Sequence, residues 1–177
     1  MIIGVILGPL LFVASVYLTG ARGRQILGGA AGAVAYGLAT FTWDRGAAIA
    51  GWWHYPFDPP ATDQVLALDL IAAVVAGGAF GLLGWRLTGR FGWRGLAGFL
   101  VAWSIWGAVH DIGGSALFAD SNLMIFNHGL GPVVADVLNY ATCGALAQLA
   151  IRLVAGPGPA GPFRRSTHNT STTPQPR

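Results

Sequence analysis

The chain contains no lysine and no glutamate: its ten basic residues are all arginine and its seven acids all aspartate. Charged residues fill only 10% of the 177 positions, against 54% hydrophobic. A soluble domain carries about 25% charge. So few charges cannot cover a water-facing surface, which excludes an ordinary soluble domain and makes the bilayer the natural solvent. Cysteine occurs once, as Cys143. That excludes an intrachain disulfide and suits a small buried hydrophobe. No strand alternation runs along the sequence, and no glycine-rich phosphate loop follows a strand. The Arg164-Arg165 pair is short and reads as an anchor at a membrane face, so no nucleic-acid partner is expected. His54, His110 and His128 lack an H-x-x-x-H spacing, so no metal and no other cofactor is expected. Ser115 and Ser121 lack the context of a nucleophile elbow.

Long apolar runs are what the chain has in abundance. A spanning helix needs roughly 20 apolar residues, with a range of about 17 to 25. Five segments qualify: residues 2–19, 26–43, 65–85, 95–111 and 132–153. The expected fold is therefore all-α, a five-helix transmembrane bundle over residues 1–155. The stretch 156–177 is rich in Pro, Gly, Ser and Thr and has little apolar surface to offset ordering entropy, so it reads as a disordered tail. The first segment has its arginines after it, not before, and reads as a retained helix instead of a signal peptide. Glycines such as Gly28, Gly29, Gly32, Gly77, Gly78 and Gly81 suit close helix approach in lipid.

Arginine fixes the expected orientation. Arg22 and Arg24 lie in the first connection, Arg86, Arg90 and Arg94 in or beside the third, and Arg152, Arg164, Arg165 and Arg177 at the C-terminal end. The second connection holds only Arg45 and the fourth holds none. Arginine favours the cytoplasmic side. The alternation places the chain in the cell membrane with its N-terminus outside and its C-terminus in the cytoplasm.

The acids follow the opposite pattern. Asp44, Asp58, Asp63, Asp69, Asp111, Asp120 and Asp136 all fall in or beside the two outer connections. Asp44 is expected to close the second helix and Asp111 the fourth, with Asp69 and Asp136 one to two turns inside the helices that follow. Asp44 and Asp69 stand in the same relation as Asp111 and Asp136. Gly46 and Gly113, and Gly77 and Gly144, match under the same offset, which points to two parallel helix-loop-helix repeats plus an added first helix. Ionisable groups at such depth are costly and usually face the bundle interior. Helix N-termini favour a carboxylate and C-termini disfavour one, so the four aspartates are expected to divide acid and base roles in one pocket. Asp136 could instead pair with Asn139 or Tyr140 for packing alone.

The segment TWDRGAAIAGWWHYPFDPPATD, residues 42–63, carries the densest chemistry. Its aromatics suit membrane-interface anchors and equally suit a pocket lining that stabilises a cation. Trp43-Asp44, then Gly51-Trp52-Trp53-His54-Tyr55-Pro56, resembles a motif of the membrane-embedded lycopene cyclases of carotenoid synthesis. In that family the next helix opens with a Pro-x-Glu-Glu motif. Here the place reads Pro60-Ala61-Thr62-Asp63-Gln64, and the acidic pair is absent. The resemblance implies proton-initiated cyclisation, hydration or isomerisation of a long polyene without redox chemistry.

The expected site thus comprises Asp44, Asp69, Asp111 and Asp136 as acid-base groups, with Trp52, Trp53, His54, Tyr55 and His110 against a polyene or prenyl-lipid substrate. Two other readings stay open: a small, oligomeric transporter or channel using Asp69 and Asp136, and a structural or assembly subunit associated with a partner. All three share membrane lipids as partners.

Overall fold

The computed structural model describes residues 2–55, 70–117 and 124–160, with side chains at 6–55, 70–113 and 124–160. Among these residues the chain forms α1 (Ile2–Thr19), α2 (Arg24–Ala50), α3 (Leu70–Phe91), α4 (Trp93–Leu117) and α5 (Leu130–Ala155). The last four are long and apolar enough to cross a membrane. α1 is apolar as well but shorter, at 18 residues.

Two helices overrun their expected ends. α2 continues past Asp44 to Ala50, and α4 continues past Asp111 to Leu117. The run Ala47-Ala48-Ile49-Ala50 has no helix breaker, and alanine is the best helix former. α2 stops only at Gly51, whose φ of 66° is left-handed and whose N–H caps the Ala47 and Ala48 carbonyls. In α4 the pair Gly113-Gly114 weakens the helix without ending it. Asp44 and Asp111 therefore do not close their helices. Each lies about 9 Å before the end, and the proposed division of charge by helix termini does not apply to them.

The first half of α3, Ala73–Phe80, is wound as a wide π-helix. This segment carries Gly77 and Gly78, which face α2 and α1. A Cβ at Gly77 would lie 2.4 Å from the Tyr36 Cβ and 2.6 Å from the Gly32 carbonyl oxygen. A Cβ at Gly78 would lie 3.0 Å from the Phe12 ring. A Cβ at Gly32 would lie 2.7 Å from Ile151 of α5 and 2.8 Å from the Gly77 carbonyl oxygen of α3. Glycine at these places lets α2 sit directly against α3 and α5.

Side-chain contacts repeat under the 67-residue offset. Gly77 packs on Ala33 and Tyr36, and its counterpart Gly144 packs on their counterparts Leu100 and Trp103. Gly32 meets Ile151, while Gly84 meets Phe99; each residue of one pair matches a residue of the other. Matched residues also meet each other. The rings of Tyr36 and Trp103 touch edge to face at 6.4 Å, and Gln148 Nε2 donates to the Gly81 carbonyl at 2.7 Å. Contacts between matched residues are what a two-fold relation between α2–α3 and α4–α5 produces on its axis.

The outer ends of the hairpins are clipped together. Strands β1 (Trp53–His54) and β2 (Ile125–Phe126) pair antiparallel, with Trp53 opposite Phe126. Asn127 extends the clip, its N–H donating to the Trp52 carbonyl at 2.9 Å and its amide nitrogen to the Gly51 carbonyl at 2.6 Å. Two-residue strands carry no alternation to read, so the sequence gives no sign of them.

At the opposite end, residues 156–160 were assigned by composition to the tail but lie against α3. Trp85 Nε1 donates to the Gly156 carbonyl at 2.8 Å and buried Arg86 to the Pro159 carbonyl at 3.2 Å. Polar side chains of α3 thus hold what composition left free. Residues 161–177 lie outside the described part.

Many large apolar side chains point outward: Leu38, Val34, Leu27, Val101 and Leu153 are all exposed, while the interior holds Gly, Ala, Trp53, Trp85, Leu82 and Ile151 with the polar Gln148 and Asp136. Gly77→Ala should lower thermal stability by about 1–3 kcal/mol through overpacking. Gly46→Ala, where a Cβ meets nothing within 4 Å, should raise it by up to about 1 kcal/mol. Melting curves of the purified variants in one detergent check the two opposite signs.

Candidate functional site

Asp44, Asp111 and Asp136 lie at a common level near the helix ends joined by the β1–β2 clip. Asp136 sits on α5 about 9 Å from its start at Leu130, at the depth expected of it. Asp69 lies outside the described residues.

Asp44 is nearly buried and is gripped by the segment that follows its own helix. Trp53 Nε1 donates to its Oδ1 at 3.1 Å and Tyr55 Oη to its Oδ2 at 2.8 Å. The turn at Gly51 is what folds these side chains back. Trp43 and Trp52 lie 6.5 Å apart, Trp52 and Trp53 6.4 Å, and Trp53 and Phe126 5.5 Å between ring centroids. Trp43 in turn donates from Nε1 to Thr142 Oγ1 of α5 at 2.8 Å. The Trp-Asp pair and the Trp-rich turn thus form one folded unit. His54, on β1, is exposed, and Arg45 lies over the Phe41 ring at 5.0 Å.

Asp111 has a different pair of neighbours. Tyr140 Oη donates to its Oδ2 at 2.7 Å, and His110 Nδ1 lies 2.7 Å from its Oδ1. His110 is largely exposed and continues an aromatic stack along α4. Phe99 and Trp103 lie 6.2 Å apart, Trp103 and Trp106 5.0 Å, and Trp106 and His110 5.2 Å. The interplanar angles in this stack are 10° to 24°.

Asp136 has neither kind of support. It is 0% exposed, and neither carboxyl oxygen has a hydrogen-bond partner among the described residues. The alternative of a packing pair with Asn139 or Tyr140 is not what forms. Tyr140 turns to Asp111, and Asn139 Oδ1 accepts from Cys143 Sγ at 3.1 Å. Asp111, Asp44 and His110 are all near enough to act on Asp136 electrostatically. Tyr36 and Tyr140 are coupled to Asp111 and Asp136 in the same way. An uncompensated polar group in such a place costs on the order of 1–3 kcal/mol or more. Among the described residues no three His, Cys, Asp or Glu side chains come together as metal ligands.

Sequence reasoning missed Tyr36, Tyr140 and the α4 stack. Tyr140 follows Asp136 by four positions and so shares its helix face, and Phe99, Trp103, Trp106 and His110 fall on one stripe. Both signals are present but ordinary in apolar helices.

Comparison with known protein families, with curated proteins and with solved structures gives no match.

The stability costs at Asp111 and Asp136 should separate. Tyr140→Phe, which removes a donor from Asp111, should cost about 1–3 kcal/mol. Asp136→Leu, which removes an uncompensated polar group of similar size, should leave the melting temperature unchanged or raise it. A large loss from Asp136→Leu in the same thermal-unfolding assay would show that its carboxyl group is held by a partner.

Proposed function

We propose that the protein is a five-span cell-membrane protein that performs proton-initiated, non-redox rearrangement of a long unsaturated isoprenoid. In this reading α2–α3 and α4–α5 are parallel repeats about an axis along the membrane normal, α1 is added beside α3, the N-terminus lies outside and the C-terminus in the cytoplasm. The observation that carries the chemical part is Asp136. A carboxyl group sealed among helices without a donor is expensive to keep, and here it stands between two aspartates that are each held by a tyrosine.

The roles follow from the hydrogen bonds. Asp136, tied to no neighbour, gives its proton to one carbon of a carbon–carbon double bond. The π pair becomes the new C–H bond and leaves a cation on the adjacent carbon. For cyclisation a second double bond attacks that cation; for isomerisation the charge stays in place; for hydration water adds to it. Asp44 or Asp111, already an acceptor for Tyr55 or Tyr140, then takes a proton, from carbon in the first two cases and from the added water in the third. Cyclisation and isomerisation leave the composition unchanged, and hydration adds one water. The indoles of Trp53, Trp103 and Trp106 offer ring faces to a transient cation. The resemblance of the Trp-Asp and Trp-rich segment to lycopene cyclases supports the same chemistry.

An apolar groove of about 640 Å³ between α1, α2 and α3, lined by Phe12, Val34, Leu38, Phe41, Leu70 and Val74 among others, suits a hydrocarbon chain, although none of the three aspartates or the tryptophans lines it. Transport fits less well. Below the acids the helices close on each other at Gly28, Gly32 and Gly77, which leaves little room for a polar path.

Two measurements test the proposal. Reporter fusions should place residue 1 outside and residue 177 in the cytoplasm. The reconstituted protein in D2O should convert an acyclic polyene or prenyl lipid to a product with deuterium on carbon, and Asp136→Asn should slow this by about 10²–10⁴-fold. Uncoupled proton flux in vesicles without a labelled product would favour transport, and full activity in Asp44→Asn, Asp111→Asn and Asp136→Asn alike would remove the acid-base site.

A further inference from the structure

The arginine-bearing end of the bundle holds a second cavity, remote from the acids. It is an open surface groove of about 610 Å³ beside the tight turn between α3 and α4, where Gly92 has a φ of 61°. Arg90 and Arg94 stand at its polar edge; Leu87, Phe91, Gly98 and Phe99 form its apolar part. Each guanidinium rests on a neighbouring ring, Arg90 over Phe91 at 5.2 Å and Arg94 over Trp93 at 5.9 Å. The described aspartates, Asp44, Asp111 and Asp136, all lie toward the other end of their helices. Among the described residues, then, no carboxylate faces these two cations.

We infer that this cavity is a binding site for one anionic phospholipid, with its phosphate between Arg90 and Arg94 and an acyl chain running over Gly98 to Phe99. The guanidinium fork matches phosphate oxygens, and ring stacking holds the two forks in place at little entropic cost. Basic pockets between spanning helices are a known form of headgroup recognition. The absence of a side chain at Gly98 shapes the chain groove. A Cβ built there meets nothing within 4 Å, whereas one at Gly95 would strike the Leu87 carbonyl oxygen. Gly95 is thus needed for helix approach, and Gly98 leaves open space above the groove.

The inference rests on the membrane reading and not on the acid-base chemistry. The full-length protein is incorporated into phosphatidylcholine nanodiscs, and a spin-labelled or photo-crosslinkable phosphatidylglycerol competes with its phosphatidylcholine counterpart. Incorporation alone tests the membrane reading. Phosphatidylglycerol should be preferred by about tenfold or more, as roughly 1 kcal/mol per arginine implies. Arg90→Gln with Arg94→Gln should bring the preference close to one, and Arg22→Gln with Arg24→Gln should leave most of it. Gly98→Leu, which keeps both arginines, should also abolish it by filling the chain groove, and Gly98→Ala should retain it. Equal binding of the two lipids, an unchanged preference in Gly98→Leu, or equal protection by inorganic phosphate alone would overturn the site in favour of diffuse charge attraction.

Discussion

A Cβ on Gly32 would come within 2.8 Å of both the Gly77 carbonyl oxygen and the Ile151 side chain, and that clearance governs most of what the helices can do. In lipid no hydrophobic force drives helices together, so dispersion at short range has to. Gly28 and Gly32 let α2 approach α5, and Gly32 with Gly77 lets α3 approach α2 at the same place. The depth of this contact decides where the polar groups end up. Asp44 on α2 and Asp136 on α5 are brought into electrostatic reach of each other because their helices are in contact all the way down. Were the backbones held apart by side chains, the outer ends would splay and water would enter between the acids.

The three described acids occupy equivalent depths yet have different neighbours, and the loops explain the difference. The first outer connection carries Trp52, Trp53 and Tyr55 and folds them onto Asp44. The second has no tryptophan, so Asp111 takes its phenol from Tyr140 within the bundle and its second neighbour from His110 beside it. Helix pairs that match under the 67-residue offset but have unlike connections thus give two carboxylates of similar position and unlike surroundings. Asp136 belongs to neither arrangement and stays bare.

The approximate positions of the helices and the level of the described acids could be read from the sequence because both depend on single strong preferences. Apolar length sets the spans. The cost of burying charge brings the acids toward the helix ends. The 67-residue match was also legible, at Asp44 with Asp111 and Gly77 with Gly144. Helix ends were not. Asp44-Arg45-Gly46 looks like a terminus by its polarity, but the strong helix formers that follow, Ala47-Ala48-Ile49-Ala50, carry α2 through it. The partners of the acids were equally hidden, because aromatics are plentiful and nothing in their spacing says which oxygen they meet. The docking of residues 156–160 depends on Trp85 and Arg86, which lie far away in sequence.

The clip between β1 and β2 has a consequence for kinetics. It ties the two hairpins together at the end that carries the acids, with Trp53 buried beneath it and Asp44 only 9% exposed. If the helices span a bilayer as proposed, a ligand of these carboxylates would arrive from the lipid and not through the clip. Occupancy would then follow the ligand's mole fraction among the lipids and not its concentration in the medium, and diluting the protein's membrane with inert lipid would weaken binding even at constant total ligand.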